Sequence, residues 1–436
     1  MSVSTVRTVS TPHLSRPPLP RVLTGALFLG LVLLALNLRS PLTTLPPVID
    51  RVREDTGLGD SGAGMLTSVP VLCFGLLAWP ASLLIRRIGI DRAVVVTLLG
   101  AAAGIVVRSV GGVPGLFIGM VVTGVFLTVG NTVALLVIGR DFAAHLGAVN
   151  GAYTASLNVG TMLTSALTAP LAGLWGWRGA AGSWAALALT GALLWWAVAA
   201  WRSRVVAVTA ATAPTVPTAP TVPERIPDAG DAGAAVTVGT VGTVRTAPTH
   251  RRYVWLLAGV LTLHLFIYYA LTTWLPSIMA DRLGMGPESA GAAASTFQIL
   301  ALLGAFGSPV VARLIRQETL LVVLAVLWTV TAVGMLTAPA LWPVWCVSGG
   351  IAQGGVFTVV FTLIVARSRN ADDNRRTSTL VQGWAYTLSA VGPVLTGRLH
   401  ELSGSWAAPL TLVSVLAAAL VAVAVVLRTA GAVRTS

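Results

Sequence analysis

Arg39 stands alone in a long apolar stretch. Val22 to Leu38 carries no charge, and ten more uncharged residues follow Arg39 before Asp50. A guanidinium near the centre of a bilayer costs about 2.5–3.5 kcal/mol on insertion scales, so one held there without a neighbouring acid needs a reason. Its planar, permanently charged fork suits an oxyanion or a linear triatomic anion. The competing account ties it to backbone carbonyls at a kink before Pro41. Asn37 accompanies it, but two residues are about 200° apart on a helix, which fits a helix–helix hydrogen bond better than a shared cavity.

Other polar side chains fall at helical spacing on apolar segments. Thr154, Asn158, Thr161 and Ser165 form one stripe, His264, Tyr268 and Thr272 a second, and Ser378, Gln382, Tyr386 and Ser389 a third. Polar stripes on apolar helices face protein or water rather than lipid. Asn131, Gln298 and Gln353 are single polar residues on further apolar segments. The candidate substrate-binding set is therefore Arg39, Asn37, Asn131, Asn158, Thr161, His264, Tyr268, Gln298, Gln353, Gln382 and Tyr386. His264 is the candidate for a proton relay.

The elements that must position these residues are membrane helices. The chain has 436 residues, of which 55% are hydrophobic and only 10% charged, against about 25% charged in a soluble domain. Twelve apolar spans are expected near 22–48, 62–85, 92–109, 114–138, 147–172 and 180–201, then 253–279, 289–312, 319–337, 341–366, 377–398 and 406–427. An even number of spans puts both termini on one side. The segments on that side hold 21 arginines, and the other side holds six: Arg51, Arg53, Arg108, Arg178, Arg282 and Arg398. This bias predicts cytoplasmic termini and a multi-pass protein of the inner (plasma) membrane. The net charge of +13 thus reads as topology, not as a nucleic-acid surface.

The expected organisation is a cytoplasmic tail (1–21), a six-helix half (22–201), a disordered Ala/Thr/Pro/Val/Gly-rich linker (202–252), a second six-helix half (253–428) and a tail (429–436). The halves repeat weakly. "DSGAGML" at 60–66 resembles "ESAGAAA" at 288–294, and an offset of about 227 pairs Arg86 with Arg313 and Asp91 with Glu318. Two parallel repeats in a membrane protein point to a transporter with its site between the halves.

The motifs "ALNLRSPLTTLPP", "LTSVPVLCFGLLAWPASLLIRRIGIDRA", "GNTVALLVIGRDF", "YYALTTWLPSIM" and "GPVLTGRLHELSGSWAAPL" resemble the major facilitator superfamily, and within it the cyanate and 2-nitroimidazole transporter branch. The resemblance covers about residues 22–428 outside the linker. It implies an all-α fold of twelve transmembrane helices in two six-helix repeats, moving a small anionic or cyanate- or nitroheterocycle-like solute by rocking of the halves. One motif departs from the superfamily. The usual loop G-x-x-x-D-R-x-G-R-R reads "ASLLIRRIGIDR", with Ile85 where the acid belongs. Arg86, Arg87 and Asp91 are the candidate gating residues.

There is no Ser/His/Asp or Cys/His set, no HExxH and no P-loop in the sequence, so neither catalysis nor ATP hydrolysis is expected, and no cofactor or metal. The expected partners are a small-molecule substrate, with a proton as candidate co-substrate, and the lipid bilayer; the expected state is a monomer. Two rival readings are a multidrug exporter, with Tyr268, Tyr269, Trp274, Phe297 and Trp384 as an aromatic cavity, and a transport-inactive membrane sensor.

Overall fold

The computed structural model describes residues 21–212, 248–368 and 371–432, and among these every regular element is helical. The first half comprises α1 (Arg21–Thr43), a short α2 (Ile49–Thr56), α3 (Asp60–Leu76), α4 (Ala78–Ile88), α5 (Ile90–Val110), α6 (Val113–Asp141) and α7 (Leu146–Thr212). The second half comprises α8 (Pro248–Leu283), α9 (Pro287–Val311), α10 (Gln317–Thr337), α11 (Trp342–Arg367), α12 (Ala371–Ser389), α13 (Val391–Ser403) and α14 (Ala407–Ala432).

Nine of the described helices are long and apolar enough to cross a bilayer, and the pair α3–α4, bent by 66°, makes a tenth span. α7 is two spans in one. Gly176 breaks it with φ 69° and ψ 164°, a backbone conformation that a side chain would strain. The pair α12–α13, interrupted at Ala390, completes twelve. α12 carries the polar residues of the third stripe, and α13 carries Arg398, His400 and Glu401, which makes both less apolar than the rest.

The ends of the expected linker are helical rather than disordered. α7 continues to Thr212 and α8 begins at Pro248. The segment 202–212 holds no proline, the first being Pro214, so nothing in it stops the helix. Likewise α14 runs to Ala432, into the expected tail. The tail up to Pro20 and the linker core 213–247 lie outside the described residues.

In the first half α1 packs on α7, and α5 lies between α6 and α7; in the second, α9 packs on α11, and α10 on α11 and α14. The halves meet where α3 lies against α12 and α13 and where α7 lies against α9. Glycines close both junctions. A Cβ on Gly64 would collide with the carbonyl of Pro393, and one on Gly291 would lie 2.7 Å from the carbonyl oxygen of Ser165. Gly64 and Gly291 are 227 residues apart, the offset of the repeat. Small residues let backbones approach, which matters in lipid, where apolar burial does not drive helices together.

The end of the bundle away from the chain termini, called distal below, is shut by polar contacts across the halves. Thr67 meets Thr273 at 2.9 Å and Ser61 donates to Glu401 at 3.0 Å, while within the second half Trp274 donates to the Pro393 carbonyl at 2.9 Å.

Candidate functional site

Arg39 sits in α1 one turn before its C-terminus, where the helix passes Pro41. It is half-buried, and its guanidinium carbon lies 5.5 Å from the ring centroid of Phe357 on α11, across the boundary between the halves. Such a cation–π contact contributes roughly 0.5–2 kcal/mol. Tyr153 on α7, Tyr268 and Tyr269 on α8 and Tyr386 on α12 lie within electrostatic reach of the same group. These are four of the five tyrosines in the chain. Among the described residues Arg39 forms no ion pair and no hydrogen bond. Its side-chain contact is the ring of Phe357, with four phenols within electrostatic reach.

A different arginine holds the kink. Arg108, at the end of the span expected over 92–109 and counted with the charges of the far side, is fully buried near the end of α5. Its Nη1 donates to the carbonyl of Pro41 at 2.7 Å and lies 3.4 Å from the sulfur of Met120. α1 ends at Thr43, so its last carbonyls lack helical partners and carry the negative end of the helix dipole. A buried cation there completes one orphaned acceptor and finds partial negative charge without a carboxylate. The neighbouring acceptors are met locally, with Thr44 donating to the Ser40 carbonyl at 2.8 Å and Ser40 to that of Leu36. Arg108 escaped sequence reading because a charge near the end of an apolar run looks like a loop residue, and its acceptor is 67 positions away.

Asn37 turns away from Arg39. Its amide donates to the Leu33 carbonyl at 2.8 Å and to that of Leu187, in the second segment of α7, at 3.4 Å. This is the helix–helix bond its angular position predicts. Tyr268 and Gln298 are brought together at 3.4 Å, and Gln298 donates to Thr272 at 3.3 Å, so these three polar residues form a chain beside Arg39. Gln353 is buried on α11 one turn before Phe357, and its amide oxygen has no partner. Gln382 lies one turn before Tyr386 on α12 and is half-buried, and Tyr386 stands edge-on to Phe74 at 5.6 Å.

Asn158 and Thr161 are buried but spend their donors on carbonyls of their own helix, those of Thr154 and Asn158. Asn131 is half-buried on α6. His264 is almost fully buried and accepts at Nδ1 from the indole of Trp328 at 3.0 Å. That bond needs a lone pair on Nδ1, so the ring is a neutral acceptor here. Two site residues were missed by sequence reading, Tyr153 and Phe357, and Tyr269 was read only as part of the rival aromatic cavity. Each is one aromatic on an apolar helix, and only the packing of α7, α8 and α11 around α1 distinguishes them.

The two tryptophans of the rival aromatic cavity go elsewhere. Trp274 lies in the junction with α13, tilted against Trp406, and Trp384 is 49% exposed, edge-on to Trp255.

At the terminal end, the candidate gating residues separate. Arg86 and Arg87 are exposed at the end of α4. Asp91 receives both arms of Arg140, at 2.9 and 2.8 Å. Arg140 also holds Asp141 at 2.7 Å, and Arg202 reaches Asp141 at 3.0 Å. In the second half Arg367 holds Glu318 at 2.8 Å and covers the ring of Tyr253 at 4.7 Å. Asp91–Arg140 and Glu318–Arg367 span the same sequence distance and stand at the repeat offset from one another. Ile85, in place of the loop acid, is buried.

Comparison with known proteins fits this architecture. A family model described as Major Facilitator Superfamily matches residues 27–372. The "Uncharacterized transporter YycB" of Bacillus subtilis (strain 168) is 28% identical over 391 residues, 88% of this chain and 89% of that protein. The "2-nitroimidazole transporter" of Escherichia coli (strain K12) is 28% identical over 398 residues, covering 89% and 92%. The "Cyanate transport protein CynX" of the same organism is 26% identical over 382 residues, covering 87% and 91%. Among solved structures, a bacterial homolog of the human lysosomal transporter Spinster superposes with a TM-score of 0.66 at 15% identity, over 95% of this chain and 96% of that one.

Proposed function

The chain belongs to the major facilitator superfamily, and we propose that it moves a small anion, or a cyanate- or nitroheterocycle-like solute, through a central site built around Arg39. Like its relatives it is a multi-pass membrane transporter and not an enzyme. The carrying observation is a half-buried guanidinium with no protein counter-charge among the described residues, framed by four tyrosines and Phe357. Binding there exchanges solvent for a charge-assisted hydrogen bond of roughly 1.5–3 kcal/mol per contact. The aromatic rim favours flat or linear solutes over bulky hydrated ones. Residues from both halves surround Arg39, so rocking of the halves exposes the site to one side of the membrane at a time. The names of the relatives support the solute class. Purified protein should be stabilised against heat by cyanate or 2-nitroimidazole, and the Arg39→Gln variant should not. Equal stabilisation of both proteins would overturn the assignment.

The orientation follows the arginine bias, with the termini in the cytoplasm and the distal end outside. The burial of Arg108 removes one charge from the outer count and sharpens that bias. In a background lacking Cys73 and Cys346, cysteines at Gly59 and Ala229 should label from opposite sides of intact cells. Labelling of both from outside would refute this orientation.

A further inference from the structure

At the distal end one titratable pair bridges the halves. His400 on α13 contacts the carboxylate of Asp60, the first residue of α3, with Nδ1 at 2.8 Å from Oδ2. Asp60 is buried and His400 only slightly exposed. The imidazole stacks on the indole of Trp406, with centroids 3.9 Å apart and planes 18° apart. Trp406 is fixed in turn by donating to Asp281 of α8 at 2.7 Å. An imidazolium in this place would meet a carboxylate at its edge and an aromatic ring at its face.

The charges around it are Asp60 from α3, Arg53 and Asp50 from α2, Asp281 from α8, and Arg398 and Glu401 from α13 itself. Arg53 lies 2.7 Å from Asp60 and 3.2 Å from Asp50. Arg398 lies 3.3 Å from Glu401, and the hydroxyl of Ser61 on α3 holds that carboxyl below the usual range. The described residues of α12 and α14 bring no charge to this end. Carboxylates outnumber guanidinium groups in the cluster by four to two, so it is net acidic while His400 is neutral.

The histidine of this pair has no counterpart in the repeat. At the second junction, α7 against α9, Gly173 stands 227 residues before His400, and Glu288, which opens the motif matching that of Asp60, lies one position beyond that offset. A Cβ on Gly173 would fall 3.8 Å from the Glu288 carboxylate, an ordinary contact distance, and no histidine stands there. The histidine–carboxylate bond thus belongs to one junction and not to the other.

We propose that Asp60 and His400 form a proton-binding site that latches the distal end of the transporter. A proton on His400 strengthens a bond that must break when the halves part there. The distal-closed state therefore binds the proton more tightly than the distal-open state, and by linkage acid favours closure. The ligand is the proton alone, with no metal or nucleophile. The inference rests on the rocking-halves reading, and its test needs no substrate.

Spin labels at Glu54 and Leu402, exposed on opposite halves at this end, report the opening in the full chain without native cysteines. The expected result is a short distance at pH 5.5 that gives way to a longer one as pH rises through the imidazole range, about 6–8. His400→Gln and Asp60→Asn should each remove the pH response; two variants are used so that one folded variant suffices. Gly291→Leu, which wedges the other junction, should lengthen the distance at every pH. A wild-type distance that ignores pH while Gly291→Leu lengthens it would overturn the latch and leave the rocking reading intact. A distance fixed under all of these conditions would overturn both. A pH response retained in His400→Gln would also refute the proposal.

Discussion

Ser277 donates a hydrogen bond to the carboxylate of Asp50 at 3.1 Å, and the two residues are 227 positions apart. That is the offset relating Asp91 to Glu318, Arg140 to Arg367 and Gly64 to Gly291. Most equivalent positions of two repeats lie far apart, each in its own half. Only residues beside the pseudo-two-fold axis can touch their own counterparts. The Asp50–Ser277 bond therefore marks where that axis leaves the bundle, at the distal end, between α2 and α8.

Arg39→Lys keeps a charge but loses the fork, and should weaken substrate binding by about 1–3 kcal/mol. Arg39→Gln should abolish binding of an anion. Neither change should unfold the protein, because Arg39 has no protein acid to leave unpaired and loses at most its contact with Phe357. Melting temperature and ligand affinity measured together on the three proteins check this. Intact affinity in a folded Arg39→Gln variant would return the exporter reading to favour.

Arg108 should show the reverse pattern. Arg108→Met strips the Pro41 carbonyl of its donor, and a buried acceptor left unpaired costs about 1–3 kcal/mol. We expect a lower melting temperature and faster amide exchange over residues 40–44. A melting temperature equal to the wild type would show that the carbonyl finds another partner.

Gly291→Leu should hold the distal end open. A Cβ alone would approach the Ser165 carbonyl to 2.7 Å, and a full side chain must push α9 from α7. A cysteine at Glu54 should then react faster with a bulky membrane-impermeant maleimide than in the parent protein. An unchanged rate would mean that the helices absorb the side chain without parting.

The Asp91–Arg140 pair should be worth more than a surface ion pair. It is bidentate, and its two side chains are 30% and 17% exposed. A double-mutant cycle with Asp91→Asn and Arg140→Gln should give a coupling energy of roughly 1–3 kcal/mol in thermal or denaturant unfolding. A coupling near zero would make the pair a bystander.

The linker should tolerate shortening. Its Pro- and Thr-rich composition cannot build a core, so deletion of 210–240 should leave expression and melting temperature unchanged. Loss of folding would show that this segment packs on the helices.

Sequence patterns were informative where they depended on local periodicity and failed where they depended on distant partners. Twelve spans, the 227-residue repeat and the exceptional position of Arg39 follow from charge spacing and apolar run length, which are local quantities. Tyr268 and Tyr386 were legible because they lie on polar stripes at helical spacing, and Gln298 because it is a single polar residue in an apolar span. Phe357 was not, since an aromatic in an apolar span resembles any core residue until α11 is placed opposite α1. The same holds for Arg140, which looks like a topological charge and turns out to be the partner of Asp91. His400 has the opposite history. It sits inside a motif quoted for family resemblance, yet its role depends on Asp60, 340 positions away.

The gathering of four of five tyrosines around Arg39 makes the site its own reporter. Biosynthetic incorporation of fluorotyrosine would place nearly every fluorine nucleus of the chain at the place where solute is expected, with Tyr253 as the single remote reference at the terminal end. Fluorine spectra of the wild-type chain could then follow occupancy directly, without a mutation, a dye or a transport assay. Four resonances should respond to solute while the fifth stays still.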